Sequence, residues 1–477
     1  MTTLDKHPPS LPYLFLTEMW ERYGFYVVQG LLVLYLTMYF GYDDDASYTI
    51  LGAFTALAYM SPIVGGYVAD KYLGFKNCII WGGIFLIIGY AILAMPFANA
   101  LLYPGLATIV IGTGLFKPNV SSLLGIQYPK NDPRLDSGFT IFYIGINLGA
   151  FLAGITSGYI REYVGWWASF AVASTGLILG LATFLYALRF INDPHPDKSE
   201  HKSKFRFFIY CLLAIAGISF LFTMHKLTDW LLPSLGIVLL FYLGYLALQQ
   251  EPAARNRLLL LTALIVSSVI FWMLYLQMFF SANLFVERLV NRDVFGLHLS
   301  NTVFWASESV FIILLGPIFA WAWHVLNRQN RNPSYVAKFI TGIFFAGMGM
   351  LVLGLSTYMP DSEGLVHPIF IFGAYLLVTI GELFLSPIGL SAVTILAPTN
   401  LTGMMMGIWF VAIGFGGVFA GVIAKAASVP NKVDMTVDML SIYRHAFLDF
   451  AYLAFFVTIV LIFINLAVKK FLPASLE

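Results

Sequence analysis

Long apolar runs are the feature that most constrains this chain. About twenty consecutive apolar residues are enough to cross a bilayer as a helix, and charges, prolines and glycines separate fourteen such runs along 477 residues. Because 59% of the residues are hydrophobic and only 11% are charged, against about 25% charged in a typical globular domain, we expect an all-α polytopic membrane protein. The predicted spans are residues 11–40, 48–69, 77–98, 101–124, 137–160, 166–190, 206–225, 230–249, 257–285, 300–326, 336–357, 367–395, 402–424 and 441–468.

The runs divide as six, two and six. The most charged linker, residues 192–204, follows the sixth run, and most Lys and Arg residues fall in cytoplasmic segments if the amino terminus is inside, as the positive-inside rule favours. We therefore expect both termini in the cytoplasm. The expected parts are a six-helix bundle at 1–191, the linker with two additional helices at 192–250, and a second six-helix bundle at 251–477.

The charge balance and the cysteines exclude several functions. Lys plus Arg number 26 and Asp plus Glu 25, so there is no basic excess to neutralise nucleic-acid phosphates. Cys78 and Cys211 lie in apolar stretches without metal-ligand spacing, so we expect no disulfide, metal or cofactor. Because the deep polar residues show no nucleophile beside a histidine and no phosphate loop, the sequence disfavours a membrane enzyme.

Six charged side chains stand out as candidates for deep positions within the predicted spans. These are Glu18, Glu21, Arg22, Lys117, Glu308 and Glu382. A charge at the bilayer centre costs about 2.5–3.5 kcal/mol on insertion scales, so each needs a partner or an aqueous cavity. The first three are spaced i, i+3 and i+4, which places them on one helix face, and that face is expected inside the bundle. The alternative is an ion-pair cluster that only holds the bundle together.

One loop resembles a major facilitator superfamily signature. Residues 65–76, GGYVADKYLGFK, match its pattern of glycines around an Asp-Lys pair. The resemblance implies two six-helix bundles that rock around a central site. A tight cytoplasmic turn is the alternative interpretation of this segment.

Four further segments resemble motifs of the proton-dependent oligopeptide transporter family. They are EMWERYGFY at 18–26, GLFKPN at 114–119, FYIGINLG at 142–149 and GELFLSPIGL at 381–390. The two additional helices also match bacterial members. The resemblance implies import of di- and tripeptides, driven by protons, across the lipid bilayer of a bacterial inner membrane.

A peptide zwitterion requires an acceptor for its ammonium group and donors for its carboxylate. The resemblance assigns Glu382, in the second bundle, to the ammonium group, and Arg22 and Lys117, in the first bundle, to the carboxylate. It gives Tyr26 and Asn147 hydrogen bonds to the peptide. It also implies pocket walls made by Tyr59 and Trp409, for which helix packing or lipid contact is an equal alternative.

Proton coupling requires a group whose proton affinity depends on its surroundings. Burial and a movable basic partner act in opposite directions on a carboxyl group, and Glu18 and Glu21 beside Arg22, with Lys117, have this composition. None of the eight histidines lies deep in a predicted amino-terminal span. We therefore predict a carboxylate-based proton relay.

The chain also departs from the family pattern. Many members carry a basic residue and a glutamate that close the outer side, where this chain has Gln29 and Leu276, and Glu308 replaces a usual Asn-Pro in the eighth core span. We expect that Glu308 has taken over proton binding or gating. The alternative is a glutamate in an aqueous vestibule without a coupling role.

Other functions fit the same pattern less closely. Fold does not fix substrate, so a carrier of an amino acid, a peptide-like conjugate or nitrate remains an alternative, although Glu382 would repel nitrate. A receptor without turnover would have little need for paired buried acids and bases. Oligomeric state, peptide preference and proton stoichiometry leave no signal in the sequence.

Overall fold

A computed structural model of the chain describes residues 6–95, 100–129, 132–192, 201–294, 296–398, 401–430 and 436–468. Most of the charged linker predicted at 192–204 lies outside these ranges, as do the two ends of the chain. The cytoplasmic location of both termini therefore stays a prediction.

The described residues of the first half of the chain form seven α-helices. They are α1 (Leu11–Leu34), α2 (Asp44–Val68), α3 (Gly74–Leu93), α4 (Leu102–Gly125), α5 (Leu135–Tyr163), α6 (Trp166–Ala187) and α7 (His201–Thr223). π-Helical turns at Tyr35–Tyr39 and Ala69–Leu73 extend α1 and α2, and a 3₁₀ turn at Leu188–Phe190 follows α6. Helices dominate because a lipid environment offers backbone N–H and C=O groups no hydrogen-bond partners, so the segment must satisfy them itself.

In the second half, the described residues form eight further helices and one small hairpin. The helices are α8 (His225–Leu248), α9 (Pro252–Tyr275), α10 (Ser281–Leu289), α11 (Asn301–Arg328), α12 (Tyr335–Ser356), α13 (Ile369–Leu396), α14 (Thr402–Ala424) and α15 (Thr436–Val468). Two-residue strands β1 (Asp293–Val294) and β2 (Leu297–His298) pair antiparallel after α10. 3₁₀ turns at Leu276–Met278 and Lys425–Ala427 follow α9 and α14.

The all-α membrane architecture is confirmed. One predicted span differs from the structure in detail, and the total number of spans stays a prediction. Among the described residues, eleven helical stretches are long and apolar enough to span a bilayer, with Asp44–Leu93 counted as one. The count omits α1 and α4, which carry buried charges, so the number of fourteen spans stays a prediction. The span predicted over 257–285 lies within one spanning stretch, Pro252–Leu289, but a 3₁₀ turn at Leu276–Met278 divides it into α9 and α10.

The polar side chain of Gln277 lies at this turn. Its amide nitrogen donates to the carbonyl oxygens of Met273 and Ala420, at 3.1 Å each, and its amide oxygen accepts from Ser281 Oγ at 2.6 Å. These bonds satisfy a buried amide where the regular helix ends.

Close contacts divide the chain into two units. Unit 1 contains residues 1–35 and 57–225, and unit 2 contains residues 36–56 and 226–477. The additional helices α7 and α8 therefore belong to different units, and the first half of α2 belongs to unit 2. The expected three-part division at 191 and 250 stays a prediction.

In unit 1, glycines bring the motif-bearing helices together. A Cβ at Gly149 of α5 would lie 2.3 Å from the Met19 carbonyl oxygen and 3.0 Å from Arg22 Cβ. A side chain at Gly149 would therefore push α5 away from the stretch of α1 that carries the charges, which explains why the segment at 142–149 ends in glycine.

In unit 2, a close helix contact at Gly381 determines the position of Glu382. A Cβ at Gly381 of α13 would lie 2.6 Å from the Gly342 carbonyl oxygen of α12 and 3.1 Å from the Phe271 ring of α9. Because α13 packs this tightly at the residue before Glu382, the position of that carboxyl group is set by backbone contact.

Candidate functional site

Four charged side chains of unit 1, Glu18, Glu21, Arg22 and Lys117, form what we call the α1 cluster. The first three are 1%, 0% and 2% exposed. The Arg22 guanidinium holds Glu21 with two bonds, from Nε to Oε2 and from Nη2 to Oε1 at 2.6 Å. Arg22 Nε also lies 3.5 Å from Glu18 Oε1, so the i, i+3, i+4 spacing produces a buried ion-pair network.

Lys117 reaches this cluster from α4. It interacts electrostatically with Glu18, Glu21 and Arg22, and its Nζ lies 4.7 Å from the centroid of the Tyr59 ring. The structure therefore brings together two acids and two bases, and it places Tyr59 beside one of the bases.

Aromatic rings cover the basic groups. Arg22 Cζ lies 4.8 Å from the Phe25 ring centroid, and Phe25 packs edge-on against Tyr59 and Tyr26 at 5.9 and 5.5 Å. A cation over an aromatic ring gains about 0.5–2 kcal/mol, more when the pair is desolvated. These rings allow two positive charges to lie close together away from water.

Asn147 lies on α5, which packs on α1 through Gly149. It is 8% exposed, and its Nδ2 donates to the Tyr143 carbonyl oxygen at 3.0 Å in the preceding helical turn. Tyr26 is half-buried. The side chains of Tyr26 and Asn147, both predicted to bind the peptide by hydrogen bonds, therefore lie in the same unit as the α1 cluster.

The sequence did not reveal Tyr90 of α3 as a neighbour of the cluster. It is fully buried and interacts electrostatically with Glu21 and Arg22, and a Cβ at Gly24 would lie 2.6 Å from its ring. Within the described ranges its hydroxyl oxygen has no hydrogen-bond partner. Tyr90 lies in an apolar run, so only the glycine opposite it could have served as a signal.

Two glutamates of unit 2, Glu308 of α11 and Glu382 of α13, form what we call the carboxyl pair. They are 7% and 8% exposed, and their carboxyl groups interact electrostatically with each other. Tyr275 Oη of α9 donates to Glu308 Oε1 at 3.1 Å, and Ser309 Oγ approaches Glu308 Oε2 at 3.5 Å. Glu308 is therefore buried beside Glu382, which does not fit the alternative of a glutamate solvated in a vestibule.

Trp409 occupies a packing position. It is 2% exposed, a Cβ at Gly389 would lie 1.9 Å from its ring, and the Phe339 ring lies 6.1 Å away. This arrangement favours the helix-packing interpretation over a pocket wall.

Gln29 and Leu276 replace the usual outer charges and are both buried, at 1% and 2% exposure. Unit 2 contains a different ion pair, which the sequence did not reveal. Arg288 of α10 donates to both oxygens of Asp44 at 2.7 Å each and to Tyr443 Oη at 3.1 Å. The two charges are 244 residues apart, and their only sequence signal is that each lies at a span end.

The described residues contain no group of three or more His, Cys, Asp or Glu side chains placed to hold a metal ion. Cys78 and Cys211 are buried free thiols in one apolar cluster with Phe85 and Leu115. The buried polar chemistry therefore lies in the α1 cluster and the carboxyl pair, neither of which has a metal-ligand arrangement.

Comparison with known proteins identifies the family. The sequence profile PTR2, POT family, matches residues 76–440. The chain is 33% identical over 465 residues to dipeptide and tripeptide permease A of Proteus mirabilis, covering 96% of this chain and 94% of the relative. It is 30% identical over 465 residues to dipeptide and tripeptide permease B of Salmonella typhimurium, covering 96% and 95%.

Solved structures agree with this result. Tetrameric PepTSo2 superposes with a TM-score of 0.85 at 29% identity, covering 97% of this chain and 98% of that chain. A mutant of the peptide transporter POT in complex with alafosfalin superposes with a TM-score of 0.85 at 32% identity, covering 97% and 96%. The chain therefore belongs to the POT family, as its four sequence motifs predicted.

Proposed function

We propose that this chain is a proton-coupled symporter that imports di- and tripeptides across a bacterial inner membrane. The observation that carries the proposal is the contrast between the α1 cluster, which contains two bases, and the carboxyl pair, which contains only acids. A peptide zwitterion carries one group complementary to each. The names of the related permeases support the same substrate class.

The peptide carboxylate is assigned to Arg22 and Lys117, and its ammonium group to Glu382. Hydrogen bonds that involve charged groups are roughly twice as strong as those between neutral groups, so these assignments favour substrates that carry both a free ammonium group and a free carboxylate. Tyr26 and Asn147 provide hydrogen bonds to the peptide, and Tyr59 contacts it beside Lys117. Trp409 is assigned a supporting role behind Gly389, since it is almost completely buried.

Glu18 and Glu21 are assigned the coupled proton. Both depend on Arg22 as a countercharge, and a peptide carboxylate that binds Arg22 competes with them for it. A buried carboxyl group that loses its countercharge binds a proton more tightly. Peptide binding and proton binding would then favour each other, which is the requirement for symport.

Glu308 is assigned a second coupling role, with Glu382 in the carboxyl pair. We further propose that transport proceeds by alternating access and that both termini are cytoplasmic. The chain would move its substrate without changing it chemically.

Uptake of labelled dialanine into proteoliposomes tests the proposal, with the pH difference and the membrane potential set independently. One pH unit supplies about 1.36 kcal/mol per proton, and 100 mV supplies about 2.3 kcal/mol per charge moved. Accumulation above equilibrium is expected with either driving force. Undiminished accumulation after both are abolished would contradict proton coupling.

Competition in the same assay separates the alternative substrates. Unlabelled di- and tripeptides are expected to compete with dialanine, while free alanine and nitrate are not. Nitrate lacks a cationic group for Glu382, and alanine lacks the peptide bond to which Tyr26 and Asn147 are assigned hydrogen bonds. Equal competition by alanine would favour an amino acid carrier instead.

A further inference from the structure

Of the two buried groups of charges described above, the carboxyl pair is the one without a base among the described residues. A hydrogen bond between two carboxyl groups requires a proton on one of them, because two carboxylates can only accept. Glu308 also accepts from Tyr275 Oη and Ser309 Oγ, while Glu382 Oε2 is buried and without a hydrogen-bond partner among the described residues. The two buried carboxyl groups can therefore bond to each other only if one of them carries a proton, and one acceptor oxygen of Glu382 is left over.

The helices packed around the pair contribute no positive charge to it. Within the described residues, the electrostatic and hydrogen-bond partners of the two carboxyl groups are each other, Tyr275 and Ser309. Lys338 of α12 places its Nζ 4.2 Å from the Trp323 ring centroid, and Arg288 of α10 binds Asp44. The residues of α14 include no titratable side chain.

We propose that Glu308 and Glu382 share a single proton and together form the receptor for the peptide's amino terminus. This deepens the proposed function and rests on it. With one proton, the pair carries one negative charge, which matches one ammonium group. The free Glu382 oxygen would accept from the ammonium group, while the shared proton stays between the two carboxyl groups.

The number of protons on the carboxyl pair sets its charge, and this charge determines its attraction for the ammonium group of the substrate. Without it, two adjacent buried carboxylates repel each other, which strongly favours rebinding of a proton. With a second proton the pair is neutral and loses its attraction for an ammonium group. Glu308→Gln replaces the shared O–H donor by an amide N–H, so Glu382 can keep its charge and a hydrogen-bond donor beside it, but no proton is shared between two carboxyl groups.

Infrared spectroscopy of the full chain in lipid nanodiscs tests the shared proton without relying on transport. A protonated carboxyl group has a carbonyl stretch that is separate from carboxylate bands. We expect the same band to be lost in Glu308→Gln and in Glu382→Gln, with no further loss in the double variant. Tyr275→Phe, which keeps both glutamates, should shift this band, whereas Tyr375→Phe on α13 should leave it unchanged.

Two results would overturn the proposal. One is a pair of independent bands, each removed only by its own substitution, which would mean that each glutamate holds its own proton. The other is the absence of any band that responds to Glu308→Gln, Glu382→Gln or Tyr275→Phe, which would mean that both groups are ionised. If either glutamine variant fails to fold, the infrared spectrum of the Tyr275→Phe variant still tests whether the pair holds a proton.

Dialanine uptake by the same wild-type preparation separates this proposal from the proposed function. Independent bands together with normal proton-driven uptake would overturn the shared proton and leave the symporter assignment standing. A shared band with no peptide uptake would overturn the assignment of function. Loss of the shared band on adding dialanine, but not acetylated dialanine, would show that the ammonium group displaces the proton and would overturn joint binding.

Discussion

The α1 cluster and the carboxyl pair compensate for the free-energy cost of burying charge in opposite ways. In unit 1, Arg22 binds Glu21 and Glu18 directly, and Lys117 adds a second positive charge. In unit 2, Glu308 and Glu382 have each other and a tyrosine, with no base contributing among the described residues. An unpaired buried charge is very unfavourable, so the first group is stabilised by ion pairs and the second needs a proton.

This difference assigns different tasks to the two groups. An ion-pair network keeps its charges as long as its geometry is maintained, and it responds to a substrate that competes for the base. Two adjacent carboxyl groups change their charge with one proton. The comparison therefore predicts that the α1 cluster is sensitive to loss of a partner, and the carboxyl pair to loss of titration.

The largest expected effect comes from Arg22→Ala, which removes the base from the α1 cluster. It leaves Glu18 and Glu21 buried without their ion pair, and breaking a buried pair in this way costs about 3–5 kcal/mol of stability. We expect a marked loss of thermal stability in detergent and no detectable uptake.

Two further variants serve as controls for Arg22→Ala. Arg189 is exposed over the Tyr186 ring, so Arg189→Ala should change stability by at most about 1 kcal/mol. Arg22→Ala combined with Glu21→Gln should regain part of the lost stability. If the double variant is no more stable than Arg22→Ala, the cluster is not stabilised by charge pairing.

Next in size is the effect of Glu308→Gln on accumulation. The amide has the size of the carboxyl group but cannot titrate, so we expect proton-driven accumulation of dialanine to be lost. Counterflow exchange of labelled against unlabelled peptide requires no net proton movement and should continue. Normal accumulation by this variant from acid to neutral external pH would leave the coupling to Glu18 and Glu21.

Glu382→Gln should act more selectively, on the peptide's amino terminus. A hydrogen bond to a charged group contributes about 1.5–3 kcal/mol, so affinity for a free dipeptide should fall roughly 10- to 100-fold. An acetylated dipeptide should change little. Glu363→Gln, at an exposed loop position, is the matched control. An unchanged ratio between free and acetylated dipeptides in a folded Glu382→Gln protein would contradict the ammonium assignment.

The smallest effect is expected for Asp44→Asn, which breaks the ion pair between Asp44 and Arg288 in unit 2. The Arg288 side chain is 27% exposed, compared with 3% for Arg22, so water can solvate the arginine that is left over. We expect a loss of about 1 kcal/mol, near the upper end for exposed pairs. A loss as large as that of Arg22→Ala would mean that exposure does not explain the difference between the two arginines.

Local spacing made the α1 cluster predictable. Glu18, Glu21 and Arg22 lie within five positions of one helix, and helix geometry alone places them on one face. Lys117 was found because a lysine in an apolar run requires a partner. The carboxyl pair could not be found in this way, since its members belong to α11 and α13 and each was expected to have a separate role.

Packing decided the remaining features. Trp409 could have lined a pocket or filled the interior, and the small residue Gly389 opposite it decided for the interior. The helix α9 ends where the buried side chain of Gln277 forms its hydrogen bonds, and one of these goes to the Ala420 carbonyl oxygen of α14. Asp44 and Arg288 are ordinary charges at span ends until the fold brings them together.

The sequence by itself determined that the chain is an all-α membrane protein, that it resembles the POT family, and that charged residues lie inside its apolar runs. These properties follow from composition and from the spacing of residues along one helix. Only the tertiary structure decided which glutamates lie beside a basic side chain and which lie beside another glutamate. That choice depends on how closely helices approach at residues such as Gly149 and Gly381, and such distances are set by the packing of segments far apart in the chain.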